Sequence, residues 1–167
     1  MSSITSTMSV EQYLAASFKP PCEYIDGVLR QKSTPTKLHG LVQFLLVTLV
    51  RKQGWEALAE VTVRLSASKF LVPDVIVDEQ IEDPYPTRPV TLCVEILSPE
   101  DRLSAAFAKC EEYHAWGVPY CWVIDPLKQT AWEYHAQFDP IKVGSNGTLY
   151  AGKLTISLQE LVSDQRE

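Results

Sequence analysis

With 167 residues, 46% hydrophobic and 22% charged, and no Gly/Ser tract or internal repeat, the chain suits one ordinary globular domain and excludes a disordered or disulfide-stapled one. Its formal net charge of −6 excludes nucleic-acid binding by bulk electrostatics, because chains that bind that way are usually basic. A polyanion would have to be met by a local patch, by bound cations or by a partner chain.

In chain order, Ser9 and Gln12 have capping-box spacing and predict a short helix through Ala16, ended by Pro20-Pro21. Glu23 to Leu29 reads as a hairpin turning on Asp26-Gly27. Thr36 to Gln53 is a longer helix stopped by Gly54. Its apolar run Leu41 to Val50, broken by Gln43 and Thr48, is far short of the ~20 residues of a bilayer span. The N-terminal MSSITSTMSVEQ lacks the basic and apolar regions of a signal peptide. Together these point to a cytoplasmic protein with no membrane partner.

Strands are expected at Trp55 to Leu65, Phe70 to Val77 and Val90 to Leu97. A helix should then start at Ser98-Pro99-Glu100-Asp101, a cap, a first-position proline and two acids at the positive end of the dipole, and run to Trp116 before Gly117. Tyr120 to Ile124 and Thr130 to His135 are further strands, and Ser157 with Glu160 marks a last short helix. The apolar strands at 92–97 and 120–124, joined by a helix, imply a parallel crossover within a mixed sheet. Cys22, Cys93, Cys110 and Cys121 form no CxxC spacing and read as buried free thiols.

Asp74 in Val72-Pro73-Asp74-Val75-Ile76-Val77 and Glu95 in Leu92-Cys93-Val94-Glu95-Ile96-Leu97 both interrupt apolar strands. An ionised carboxylate there is costly unless paired or bound to a cation. Alternation puts Glu95 on the face of Cys93 and Leu97, so two such acids on neighbouring strands would converge on one point. Either acid alone is more often a cap or an arginine partner; the pair is the more specific signal. The following helix carries Lys109 among small residues, able to reach back toward the sheet, and Tyr113 one turn on. For a lone lysine the commoner use is a snorkelling surface charge.

Pro73-Asp74, Glu95-Ile96-Leu97-Ser98-Pro99, Lys109, Tyr113 and Gly117 to Pro126, preceded by Glu23-Tyr24-Ile25-Asp26-Gly27 and His39-Gly40, resemble the Uma-two family of restriction-endonuclease-like proteins. The resemblance covers roughly residues 10 to 160, with the motifs in order. It implies the PD-(D/E)XK nuclease-like core of helix, three strands, helix, strand, which agrees with the order read from residue 36. The expected architecture is one α/β domain over 1–167, its core at about 36–126, with a mixed central sheet flanked by helices and an added N-terminal helix and hairpin. The resemblance makes Asp74 and Glu95 the motif's acids. The lysine usually found two residues after the second acid, where Leu97 stands, moves to Lys109. An acid frequent four residues before that lysine is replaced by Ala105.

The implied chemistry is hydrolysis of phosphodiester bonds in nucleic acid with Mg²⁺ or Mn²⁺. Asp74, Glu95 and the backbone carbonyl of Ile96 are the expected ligands, and Lys109 orients the nucleophile or stabilises developing charge. Glu23, Tyr113, Arg102 and His39 are auxiliary candidates. Glu23 and Asp26 more simply serve the hairpin turn, His39 a helix start or packing, and Asp101 the helix N-terminus. Trp116, Tyr120 and Trp122 are core aromatics by default, and His114 and His135 have no motif around them. Two rival readings stay open. One is a non-catalytic binding or assembly module on the same fold, favoured by the acidic charge and Ala105; the other is hydrolysis of a small phosphorylated substrate. A homodimer is compatible with either.

Overall fold

The computed structural model describes residues 2–4 and 7–162; positions 1, 5 and 6, within the N-terminal segment discussed above, lie outside them. The first helix, α1 (Val10–Ala15), has the anticipated capping box, Ser9 accepting from Gln12 N while Gln12 reaches back to Ser9 N. The hairpin follows as β2 (Cys22–Ile25) and β3 (Val28–Gln31). Asp26 and Gly27 both take positive φ, 49° and 90°, the geometry a two-residue turn requires. Thr36 caps α2 (Lys37–Lys52), its hydroxyl accepting from His39 N at 3.1 Å.

A six-stranded mixed sheet forms the centre. Its strands β4 (Glu56–Ala59), β7 (Val75–Asp78), β8 (Leu92–Ile96), β9 (Tyr120–Asp125), β10 (Thr130–His135) and β11 (Ile141–Val143) run in spatial order β11-β10-β9-β8-β7-β4. Among the described residues only β8 and β9 pair in parallel, and α3 (Leu103–Trp116) makes the crossover between them. Val94, Ile96, Trp122 and Ile124 face α2 and the short α4 (Leu158–Val162). Cys93, Cys121 and Val123 face Cys110 and Tyr113 of α3. All four cysteines are buried and free. No helix among the described residues is long and apolar enough to cross a membrane.

Four expectations need correcting. Trp55 to Leu65 is not one strand: the chain breaks after β4 at Glu60, whose φ is 56°, and continues as β5 (Val63–Ser66) in another sheet. Phe70 to Val77 likewise divides into β6 (Lys69–Leu71) and β7, because Pro73 has no N–H for the ladder. Asp74 therefore sits where the chain crosses between sheets, not inside a strand. The hairpin is no appendage either, since β1 (Ser2–Ile4), β3, β2, β6 and β5 form a five-stranded sheet. Finally, α3 starts at Leu103, four residues later than expected, with no side-chain cap on Arg102. Ser98 and Asp101 are occupied by each other, Asp101 N donating to Ser98 O at 2.9 Å and Ser98 N to Asp101 Oδ2 at 2.8 Å. The hairpin β12 (Thr148–Ala151) and β13 (Leu154–Ser157), whose residues alternate between buried and outward-facing, was not anticipated.

Candidate active site

The end of β8, the crossing before β7 and one face of α3 meet in a cavity of about 60 Å³ lined by Asp74, Glu95, Ile96 and Lys109, with Lys32 and His39 opposite. Since a water centre needs only ~10–15 Å³, a cation with several waters fits. Asp74 is 3% exposed, and Glu95 and Lys109 7% each. Glu95 reaches the cavity because β8 alternates: Val94 and Ile96 are committed to the α2 side, leaving Glu95 beside Cys93 on the α3 side.

Each carboxylate is held by groups from other elements. Asp74 Oδ2 accepts from the Ile96 N–H at 2.6 Å, while Oδ1 meets Lys32 Nζ at 2.8 Å and His39 Nε2 at 3.3 Å. Glu95 Oε1 accepts from the Tyr113 hydroxyl at 2.6 Å and meets Lys109 Nζ at 3.1 Å. Among the described residues Glu95 Oε2 receives no hydrogen bond. Lys109 Nζ also lies 2.8 Å from Glu23 Oε2, which accepts the Val72 N–H at 2.8 Å. Glu23 is 0% exposed and its Oε1 has no partner among the described residues.

The electrostatics divide the two acids. Burial alone would raise the Asp74 carboxyl, but Lys32 and His39 outweigh it and hold Asp74 well below the usual carboxylate range. For Glu95 burial wins, pushing it up to about 7 against the pull of Lys109 and with help from the Asp74 charge. Burial would lower Lys109, yet Glu23 and Glu95 keep it firmly protonated, above its ordinary value. His39 and Lys32 are likewise raised by Asp74 against the cost of burial.

The donor set suits a hard cation. Asp74, Glu95 and Asp101 bring carboxylates to a cavity that Lys32, Lys109, Arg102 and His39 also line, and among the described residues Glu95 Oε2 accepts no hydrogen bond. Among the described residues no three His, Cys, Asp or Glu side chains are grouped closely enough to cage a metal. Two buried carboxylates suit an ion that keeps most of its waters better than one fully wrapped by protein.

Asp74, Glu95, Ile96, Lys109, His39 and exposed Arg102 line one cavity, and buried Tyr113 touches it only through its hydrogen bond to Glu95. Glu23 is more than a turn residue: β2 buries it against Lys109. Ala105 lines the cavity and adds no acid there. Trp122 is buried in the core, with its indole N–H donating to Tyr150 O at 2.9 Å, and His114 binds Tyr134 O. Asp101 ties the α3 entrance to the hairpin, accepting the Ser33 hydroxyl at 2.9 Å. Lys32, Glu60 and Gln43 were not anticipated. Lys32 Nζ bridges Glu60 Oε2 at 2.7 Å and Asp74, while Gln43 donates to Glu60 Oε1 at 3.1 Å and Asp74 O at 2.7 Å. No motif surrounds these residues, and only the bend at Glu60 aims them together.

The buried Glu23–Lys109 pair should matter for folding. Glu23→Ala is expected to cost roughly 3–5 kcal/mol, as does stranding one member of a buried ion pair. Glu112→Ala, which removes the half-buried partner of Lys69 at 3.3 Å, should cost about 1 kcal/mol or less. Urea unfolding of both variants checks this, and equal losses would deny Glu23 any special place.

The matching family model is Uma2, described as "Putative restriction endonuclease", over residues 10–161. The chain belongs to this family. A solved structure, a putative nuclease belonging to DUF820 from Anabaena variabilis, is similar with a TM-score of 0.78 and 22% identity, covering 93% of this chain and 98% of that one. That likeness establishes the restriction-endonuclease-like fold, with its mixed central sheet. A DrdV–DNA complex aligns over 60% of this chain and 9% of that chain, at 17% identity and a TM-score of 0.41, too slight to bear on fold or function. No curated protein matches. Within the Uma2 segment fall both acids, Lys109 and Glu23, and also Lys32 and Glu60.

Proposed function

We propose that this Uma2 protein is a metal-dependent nuclease that hydrolyses phosphodiester bonds in nucleic acid. The observation that carries the reading is the convergence of Asp74, Glu95 and Lys109 on one small cavity open beside the α3 entrance. Asp74, Glu95 and the Ile96 carbonyl would hold Mg²⁺ or Mn²⁺. When bound, the ion supplies charge neutralisation at the phosphate and a more acidic water. Lys109, fixed between Glu23 and Glu95, directs a permanent positive charge at the oxygen that gains charge during bond cleavage. Tyr113 orients Glu95 through its 2.6 Å hydrogen bond. Lys32 neutralises Asp74 and is placed to meet a phosphate as it enters. Arg102, exposed at the rim, offers a second phosphate contact.

The net charge of −6 and Ala105 on the cavity wall favour the rival reading, a binding or assembly module on the same fold. Two measurements decide. Calorimetry with Mg²⁺ or Mn²⁺ should give a binding isotherm that Asp74→Asn abolishes. Plasmid or single-stranded DNA should then be nicked at low ionic strength, where an acidic protein best engages phosphates. Metal binding without cleavage of any DNA or RNA would favour the module.

A further inference from the structure

A second cavity, of about 430 Å³, opens between α1 and the loop before β8, and the proposed reaction leaves it unused. Its walls include the rings of Tyr13, Phe18 and Tyr85. Tyr13 is buried and pinned, its hydroxyl donating to Cys22 O at 2.7 Å. Phe18 lies nearly parallel to it, with centroids 6.0 Å and planes 23° apart. Tyr85 stands edge-on to the buried Phe70 at 6.2 Å. Phe18 and Tyr85 are only half-buried, so both keep uncovered ring surface. Glu60 and Thr62 supply polar groups on the wall.

This cavity neighbours the candidate active site through residues that line the space between them. Glu60 and Pro21 also line a smaller hollow shared with Lys32, His39 and Asp74, and those three line the active-site cavity. Lys32 stands midway, its ammonium 2.7 Å from Glu60 and 2.8 Å from Asp74. Glu60 holds the dividing wall in a left-handed conformation, φ 56°, that non-glycine residues seldom adopt. Such strain persists where surroundings over-determine it, often at functional sites. Here the Glu60 N–H donates to Asp74 O at 3.2 Å while Lys32 and Gln43 fix its carboxylate.

We infer that the aromatic cavity is a nucleobase subsite, holding an unpaired base of the nucleotide next to the phosphate presented to Asp74 and Glu95. Aromatic rings stack any base face, and Lys32 lies between the two cavities, where the linking phosphate would pass. In a duplex the bases are already stacked and paired, so the occupant is single-stranded nucleic acid. Stacking also answers the charge problem, because a chain of net charge −6 cannot hold a strand by bulk attraction. The inference rests on the nuclease reading and narrows its substrate.

The test is fluorescence anisotropy with labelled single-stranded DNA, single-stranded RNA and the duplex of one sequence, in Ca²⁺ with strand integrity checked on gels. Phe18→Leu removes a ring; Ala16→Trp, at an exposed position on the cavity's edge, fills the space without removing packing. Both should weaken single-strand binding about tenfold or more and leave duplex binding nearly unchanged. A nucleoside monophosphate should compete with wild type and not with Ala16→Trp. The DNA and RNA arms show which sugar the groove accepts. Unchanged single-strand affinity in a folded Ala16→Trp, or preference for the duplex, overturns the subsite alone. Wild type that binds no strand, single or double, overturns the nuclease reading with it.

Discussion

Lys109→Met should lower metal-dependent cleavage on the order of 100-fold or more, the usual cost of removing a group that stabilises charge in the transition state. Met keeps the apolar stem that packs in α3 and removes only the ammonium 2.8 Å from Glu23 and 3.1 Å from Glu95. Because the lysine is no ligand, calorimetry should still detect Mg²⁺ binding. Glu95→Gln should lose binding and cleavage together. Lys109→Met also strands two buried carboxylates, so circular dichroism must first show it folded at the assay temperature. All variants need identical purification, since a contaminating nuclease would cleave equally in each. Equal cleavage by wild type, Lys109→Met and Glu95→Gln would remove the cavity from the chemistry.

The second large effect is on stability against pH. In metal-free protein Glu95 sits at about 7 against an ordinary 4.5. Between those values the unfolded carboxyl has lost its proton and the folded one keeps it. Raising pH through this window therefore destabilises the fold, by on the order of 3 kcal/mol in all, and above it the loss is complete. Asp74 has the opposite sign: its contribution is present above the ordinary 3.8 and is lost as pH falls through its lowered value, outside the window. His39 adds stability that is full below 6.5 and fades as pH rises through its raised value, so it overlaps the upper end. Comparing wild type with Glu95→Gln isolates the acid. In EDTA the variant should lose the slope and melt higher than wild type at about pH 8. Mg²⁺ should raise the wild-type melting temperature more at pH 8 than at pH 6, because it favours the ionised acid. Parallel melting curves for the two proteins across this range would contradict the assignment to Glu95.

Local signals gave much of the frame. Ser9 with Gln12, Asp26-Gly27 and Thr36 each act through atoms a few residues away, and each forms the cap or turn its spacing implies. The unbroken apolar character of β8 and β9 foretold strands covered on both faces, hence a parallel pair inside the sheet. The same alternation put Glu95 on the face of Cys93 and Leu97, and the fold turns that face toward α3. Errors arose where a distant group competed with a local one. Ser98 looked free to cap α3, yet Asp101 claims it and Ser33 of the hairpin claims Asp101 in turn. Glu60 and Pro73 look unremarkable in apolar runs, and only the bends there reveal two sheets.

What the sequence determined by itself is the set of groups the candidate site draws on: two acids set in apolar segments, and a lysine one helical turn from a tyrosine. Burial of charge inside apolar segments is costly wherever the chain goes, so such residues announce themselves. The tertiary structure decided how those charges are balanced. Lys32 comes from the end of the hairpin, Glu23 from its first strand and Glu60 from a bend between sheets, and they meet the acids only when the two sheets come together. Ion pairing is set by distance in space and is indifferent to separation along the chain, so the division of labour between Asp74, held ionised, and Glu95, held ready for a proton or a cation, belongs to the fold.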